Sequence, residues 1–152
     1  MKTTPLPAAN LDALANAAAA EFQLRQARAR RMVRDGTLSA PAATRALRPW
    51  LAIACLAGAD LPELEDGLAQ LRVCDISSDA STSRDENLSR AILADDICPA
   101  RIWRADLIAA RDAGLSAADT NPAAADRARA LCLLAAIFTP NSPIKPAQGT
   151  AA

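Results

Sequence analysis

The chain has 152 residues, a formal net charge of zero and no histidine. That length is one domain's worth and can bury a real core. The missing imidazole removes the commonest general base at neutral pH and the commonest metal ligand, so Ser–His, Cys–His and His–metal chemistry are all excluded. No glycine-rich phosphate loop, Gly-x-Ser-x-Gly elbow or zinc-protease helix is present. The chain therefore reads as non-catalytic, with carboxylate chemistry the one route left open and no cofactor implied.

Alanine makes up about a quarter of the residues, while there are 5 Gly, 2 Phe, 2 Trp and no Tyr. Alanine loses no rotamer freedom on entering a helix, and a sheet has few β-branched or aromatic residues to build with. The expectation is an all-α fold: a single compact orthogonal bundle of about six helices over residues 10–139, between a flexible 1–9 and a Pro-rich disordered tail at 140–152.

Asn10 or Asp12 caps a first helix running to about Arg34. Its inner face on a 3.6-residue wheel is Leu11, Leu14, Ala18, Phe22, Ala29, Met32 and Val33. Arg25 falls inside that face, one turn after Glu21, so its stem should pack while its head pairs with Glu21 or a partner carboxylate. Asp35-Gly36 ends the helix, since glycine takes the left-handed conformation there. Ser39 caps a second helix over 40–58, with Pro41 tolerated in its first turn. Pro49 should kink or break it, leaving Trp50–Ala57 as a buried limb closed by Gly58.

Asp60-Leu-Pro-Glu63 resembles a capping box and opens a helix over 61–72. Leu61, Leu64, Leu68 and Leu71 form its apolar stripe. Val73–Ile76 leaves room for a very short strand, and Ser77–Ser83 reads as a polar loop. A second capping box, Ser83-Arg-Asp-Glu86, starts a helix over 84–95 with Leu88, Ala91 and Ile92 inside. Pro99 opens a helix over 99–113, buried along Trp103, Leu107 and Ala110, flanked by Ile102 and stopped by Gly114. Ser116–Thr120 then makes a turn or a single helical turn, and Asn121-Pro122 begins the last helix, over 122–138. The core anchors are Trp50, Leu51, Trp103, Leu131 and Phe138, with the Trp50–Ala57 run meeting Leu131–Phe138.

Neither apolar run approaches the ~20 residues needed to span a bilayer, and the N-terminus has no secretory core. No membrane association is expected, and a cytoplasmic location with reduced thiols follows. The four cysteines are far apart, without the paired knuckles of a zinc site. Cys55 and Cys132 read as core residues, and Cys74 and Cys98 as the more exposed thiols. Cys98, ahead of a helix N-terminus, is the one candidate for reactivity.

Charge is unevenly spread. Residues 1–50 hold 8 basic and 3 acidic side chains, and residues 51–100 hold 3 basic and 10 acidic. The basic group is Arg25, Arg28, Arg30, Arg31, Arg34, Arg45 and Arg48. The acidic group is Glu63, Glu65 and Asp66, with Asp95-Asp96 at a helix end where the dipole disfavours carboxylates and an Arg partner is expected. No loop has the pattern that encircles calcium, so the acids read as a solvated face. The arginines read as a solvated face, as partners for the acidic middle within or between chains, or as phosphate contacts. A DNA-reading helix–turn–helix fits poorly, because Met32 stands where a small residue belongs and Pro49 interrupts the second helix.

Leu47–Leu64 resembles segments of short proteins from high-GC bacterial or prophage-like genomes, a resemblance that implies no activity. The sequence as a whole points to a small helical protein-interaction module: an adaptor, inhibitor or assembly factor, binding a protein partner or itself. Nucleic-acid binding through the Arg-rich first helix is the second reading.

Overall fold

The polypeptide is helical, as the alanine content requires. The structure, a computed structural model, describes residues 8–74 and 82–141. Six α-helices lie along them: α1 (Ala8–Arg34), α2 (Ala40–Leu56), α3 (Pro62–Cys74), α4 (Thr82–Ile97), α5 (Ala100–Thr120) and α6 (Ala125–Phe138). A 3-10 turn, Pro122–Ala124, leads into α6, and no strand occurs among the described residues. Side chains are described at 11–69 and 88–141. The strand considered for Val73–Ile76 is replaced by helix at Val73 and Cys74, and its remainder, with most of the Ser77–Ser83 loop, lies outside the described residues. Residues 1–7 and 142–152 of the proposed tails and the side chains of Cys74, Leu71 and the Ser83–Glu86 box also fall outside them, whereas Ala8 and Ala9, placed in the flexible N-terminus, belong to α1, which begins ahead of the caps proposed at Asn10 or Asp12. The chain divides into two compact units, Met1–Ala100 and Arg101–Ala152.

In the first unit, α1 and α4 each pack on α2, and α3 packs on α4. The turns follow local chemistry. Gly36 has φ 78°, and the Thr37 N–H reaches back to the Met32 carbonyl at 3.0 Å, closing α1 as a left-handed C-cap does. Gly58, at φ 82°, closes α2 in the same way, with the Ala59 N–H on the Ala54 carbonyl at 3.0 Å. Ser39 accepts the Ala42 N–H at 3.3 Å, satisfying one orphan donor of the α2 N-terminus.

Of the kink or break expected at Pro49, the break does not occur: α2 is continuous through it. Proline removes one donor, so the carbonyl four residues back loses its helical partner. That residue, Arg45, is exposed, and water can serve its carbonyl. Beyond Pro49, Trp50 and Ala52 to Cys55 are buried, so the early apolar run is the core limb the sequence proposes. Leu14, Ala18, Phe22 and Ala29 of α1 are buried too, whereas Leu11 is half exposed; Met32 and Val33 are half-buried.

The α3 stripe is inward as predicted at Leu61, Leu64 and Leu68. Helix α4 is a correction. Leu88 and Ile92, expected inside, are 61% and 50% exposed, while Arg90, Ala94 and Cys98 are buried instead. The sequence carries a second i,i+4 apolar pair, Leu93 and Ile97, and the helix is turned toward it. Leu93 lies against α3, where a Cβ at Gly67 would stand 2.8 Å from its Cδ1. Burying Arg90 is tolerable because its Nη1 donates to the Cys55 and Ala59 carbonyls, each at 3.2 Å. Both carbonyls lie at or just past the C-terminal end of α2, and a cation is favoured at that pole of the dipole.

In the second unit, Gly114 does not stop α5, which continues to Thr120. A Cβ at Gly114 would sit 3.0 Å from Leu131 Cδ1, so the glycine lets α5 and α6 approach rather than end. Asn121 accepts the Ala123 N–H at 3.1 Å, the expected cap of the last helical stretch. Trp103, Leu107, Leu131, Leu134 and Ala135 are buried. The Phe138 ring meets Trp103 edge-on, with centroids 6.1 Å apart, an arrangement that suits aromatic quadrupoles. Of the five proposed anchors, Trp50, Trp103 and Leu131 are buried, while Leu51 and Phe138 are only half-buried. Arg111, one turn beyond Leu107 on the same face, is 4% exposed and bonds Asp112 through Nη2 at 3.0 Å.

Candidate interaction surface

Helix α1 holds its one inward arginine as its spacing suggests. Arg25 Nε donates to Glu21 Oε1 at 2.7 Å, and Glu21 is 5% exposed. The Arg25 guanidinium also lies over the Trp50 ring, 3.8 Å from its centroid. One side chain thus answers a buried carboxylate and covers an indole face, tying α1 to α2.

The other six members of the basic group, Arg28, Arg30, Arg31, Arg34, Arg45 and Arg48, are exposed. None forms an ion pair with another described residue. Arg31 and Arg34 lie in the last turn of α1, where cations complement the dipole. The acidic group is exposed as well. Glu63 accepts a hydrogen bond from Gln26 Nε2 at 2.9 Å, but none of Glu63, Glu65, Asp66, Asp95 or Asp96 is paired with a described arginine. The arginine partner expected for Asp95-Asp96 is therefore not found among the described residues. Their carboxylates and the arginines are held on different helices of one unit.

Between these helices lies a cleft of about 380 Å³. Phe22, Leu47, Leu51 and Ile97 supply its apolar lining, and Gln26, Arg48, Glu63 and Asp96 its polar lining. In the second unit a depression of about 320 Å³ is lined by Arg104, Ile108 and Phe138 to Asn141. The Arg104 guanidinium there lies 5.2 Å from the centroid of the Trp103 ring. Trp103 Nε1 itself is buried without a hydrogen-bond partner. No group of three or more Cys, Asp or Glu side chains is placed to hold a metal among the described residues. No helix among them is long and apolar enough to cross a membrane.

The thiols depart from expectation. Cys98, proposed as exposed, is buried, and Cys132, proposed as core, is half-buried. The Cys98 Sγ lies 3.7 Å from the Pro99 carbonyl. Cys55 is buried and donates from Sγ to the Arg90 carbonyl at 3.2 Å. Burial pushes its pKa from 9.0 up to about 11, against a smaller lowering by the Arg90 charge. Below pH 9 both native and unfolded chains keep this proton. Between about 9 and about 11 the unfolded thiol ionises while the native one does not. The unfolded chain then binds fewer protons, and stability falls as pH rises through that window. Native Cys55 should therefore resist iodoacetamide at pH 8 and react only after denaturation, as mass spectrometry of the alkylated peptides would show. Rapid native labelling would contradict its burial.

No protein-family model matches the chain, and no curated protein or solved structure is significantly similar to it. What the fold and surface define is an all-α protein with six arginines, unpaired among the described residues, on the two neighbouring helices α1 and α2.

Proposed function

We propose that the chain is a non-catalytic protein-interaction module, an adaptor, inhibitor or assembly factor, that engages a carboxylate-bearing protein surface through α1 and α2. The observation that carries this reading is the set of six exposed arginines without an ion-pair partner among the described residues. Guanidinium groups bind carboxylates bidentately and are weakly hydrated, so they are well suited to interfaces. The adjoining cleft offers apolar area, which pure charge contacts lack.

The second reading is nucleic-acid binding, favoured by the exposure of Arg28, Arg30, Arg31 and Arg34 along one helix. The two separate experimentally. Material that co-purifies with the chain from its native cell is identified by mass spectrometry and then rebuilt from pure components. The expected result is a protein whose binding drops roughly tenfold or more with Arg45→Glu/Arg48→Glu. Recovery of nucleic acid instead, with a mobility shift at about 50 mM salt that fades as salt rises, would overturn the protein reading in favour of the second.

A further inference from the structure

We propose that the chain binds a second copy of itself head to tail, the outer face of α1 in one copy seated on the outer face of α4 in the next. This rests on the protein-interaction reading above and names the partner. Each face is a stripe at helical i, i+4, i+7 spacing. On α1 it is Leu24, Arg28 and Arg31; on α4 it is Leu88, Ile92 and Asp95. Leu24 is 51% exposed, Leu88 61% and Ile92 50%, and Arg28, Arg31 and Asp95 are exposed. Set side by side in the same direction, the two stripes bring leucine to leucine and Arg31 to Asp95.

Three observations favour a second copy. The faces are complementary in charge, and neither Arg28, Arg31 nor Asp95 has an ion-pair partner among the described residues. Asp95 stands in the last turn of α4, which ends at Ile97, where the dipole disfavours a carboxylate; a guanidinium from outside relieves that conflict. Finally, the chain has no net charge, so copies approach without overall repulsion. Because two different surfaces meet, the contact is heterologous and builds rings or open chains rather than a two-fold dimer. Exposed ion pairs contribute little affinity, so the apolar residues supply the attraction and the charges fix register.

Sedimentation and light scattering of the full chain test this, over a concentration series reaching the millimolar range. Ionic strengths of about 0.1 M and about 1 M give screening lengths of about 10 Å and about 3 Å. The mass should climb with concentration, less steeply at high salt. Arg31→Glu and Asp95→Arg should each weaken association roughly tenfold. An equal mixture of the two variants should restore it, since each reversed charge then meets its opposite. Leu88→Ser/Ile92→Ser should lower association at both salts, with circular dichroism confirming the fold. A strict monomer at millimolar concentration and low salt overturns the proposal, as does association that ignores both reversals, or a mixture no better than either variant alone. A monomer that still binds an identified protein partner through Arg45 and Arg48 overturns this proposal while the protein-interaction reading stands.

Discussion

Trp50→Ala lowers the unfolding free energy by about 3–5 kcal/mol, the range for emptying a buried tryptophan site. The indole is 3% exposed and sits on α2, against which both α1 and α4 pack. Removing it leaves a cavity that neighbouring helices close only in part. It also takes away the π face under Arg25, whose guanidinium lies 3.8 Å from the ring centroid, a contact worth about 0.5–2 kcal/mol. Arg25 is then less well held beside Glu21, which is itself buried. Domains of this size are stabilised by only about 5–15 kcal/mol, so the variant should melt about 10 °C or more below wild type. Trp50→Phe, which keeps a ring face for Arg25, should recover much of the loss. Urea titrations followed by circular dichroism would measure both variants without relying on the fluorophore being removed. A Trp50→Ala chain that unfolds at the wild-type midpoint would mean that the indole is not a core element.

What could be read from the sequence was what local chemistry decides. Gly36 and Gly58 end helices because a positive φ is needed at once, and Ser39 and Asn121 cap because their oxygens reach N–H groups within three residues. Leu61, Leu64 and Leu68 leave α3 one face to bury. The Arg25–Glu21 pair was legible because i,i+4 neighbours on a helix meet whatever else the chain does. The errors are non-local. Helix α4 has two apolar pairs of equal spacing, Leu88–Ile92 and Leu93–Ile97, and periodicity ranks them equally. Carbonyls 31 and 35 residues earlier, which Arg90 must reach, are invisible to a wheel. Gly114 reads as a stop unless one knows that Leu131 comes within 3.0 Å of where its Cβ would be. Arg111 shares a face with Trp103 and Leu107, yet a charged side chain there is read outward by default. The arginine surface was visible as composition. That its members leave the acids of α3 and α4 unpaired among the described residues could be learned only from the fold.

Arg90→Met should be the second large effect, with a loss of about 1–3 kcal/mol. Methionine matches the length of the stem and keeps the packing, so the change isolates the guanidinium. Its departure takes from the Ala59 carbonyl the Nη1 that meets it at 3.2 Å and leaves the Cys55 carbonyl, also met by Nη1 at 3.2 Å, with the Gly58 N–H. An unsatisfied buried acceptor costs about 1–3 kcal/mol. Removing a buried cation also removes its desolvation cost, which works in the opposite direction. The carbonyls decide the sign here, because the charge sits among acceptors at the negative end of α2 rather than against a carboxylate that the mutation would also strand. Those acceptors span the end of α2 and the approach to α3, so the damage should be local as well as global. Amide exchange at Gly58 and Ala59, whose N–H groups bond the Cys55 and Ala54 carbonyls, should accelerate more than exchange in α1. Arg90→Lys, a point charge with a shorter reach, should fall between the two. An Arg90→Met chain as stable as wild type, with unchanged exchange at Gly58 and Ala59, would show that water can replace the guanidinium there and that α4 is oriented by its apolar residues alone.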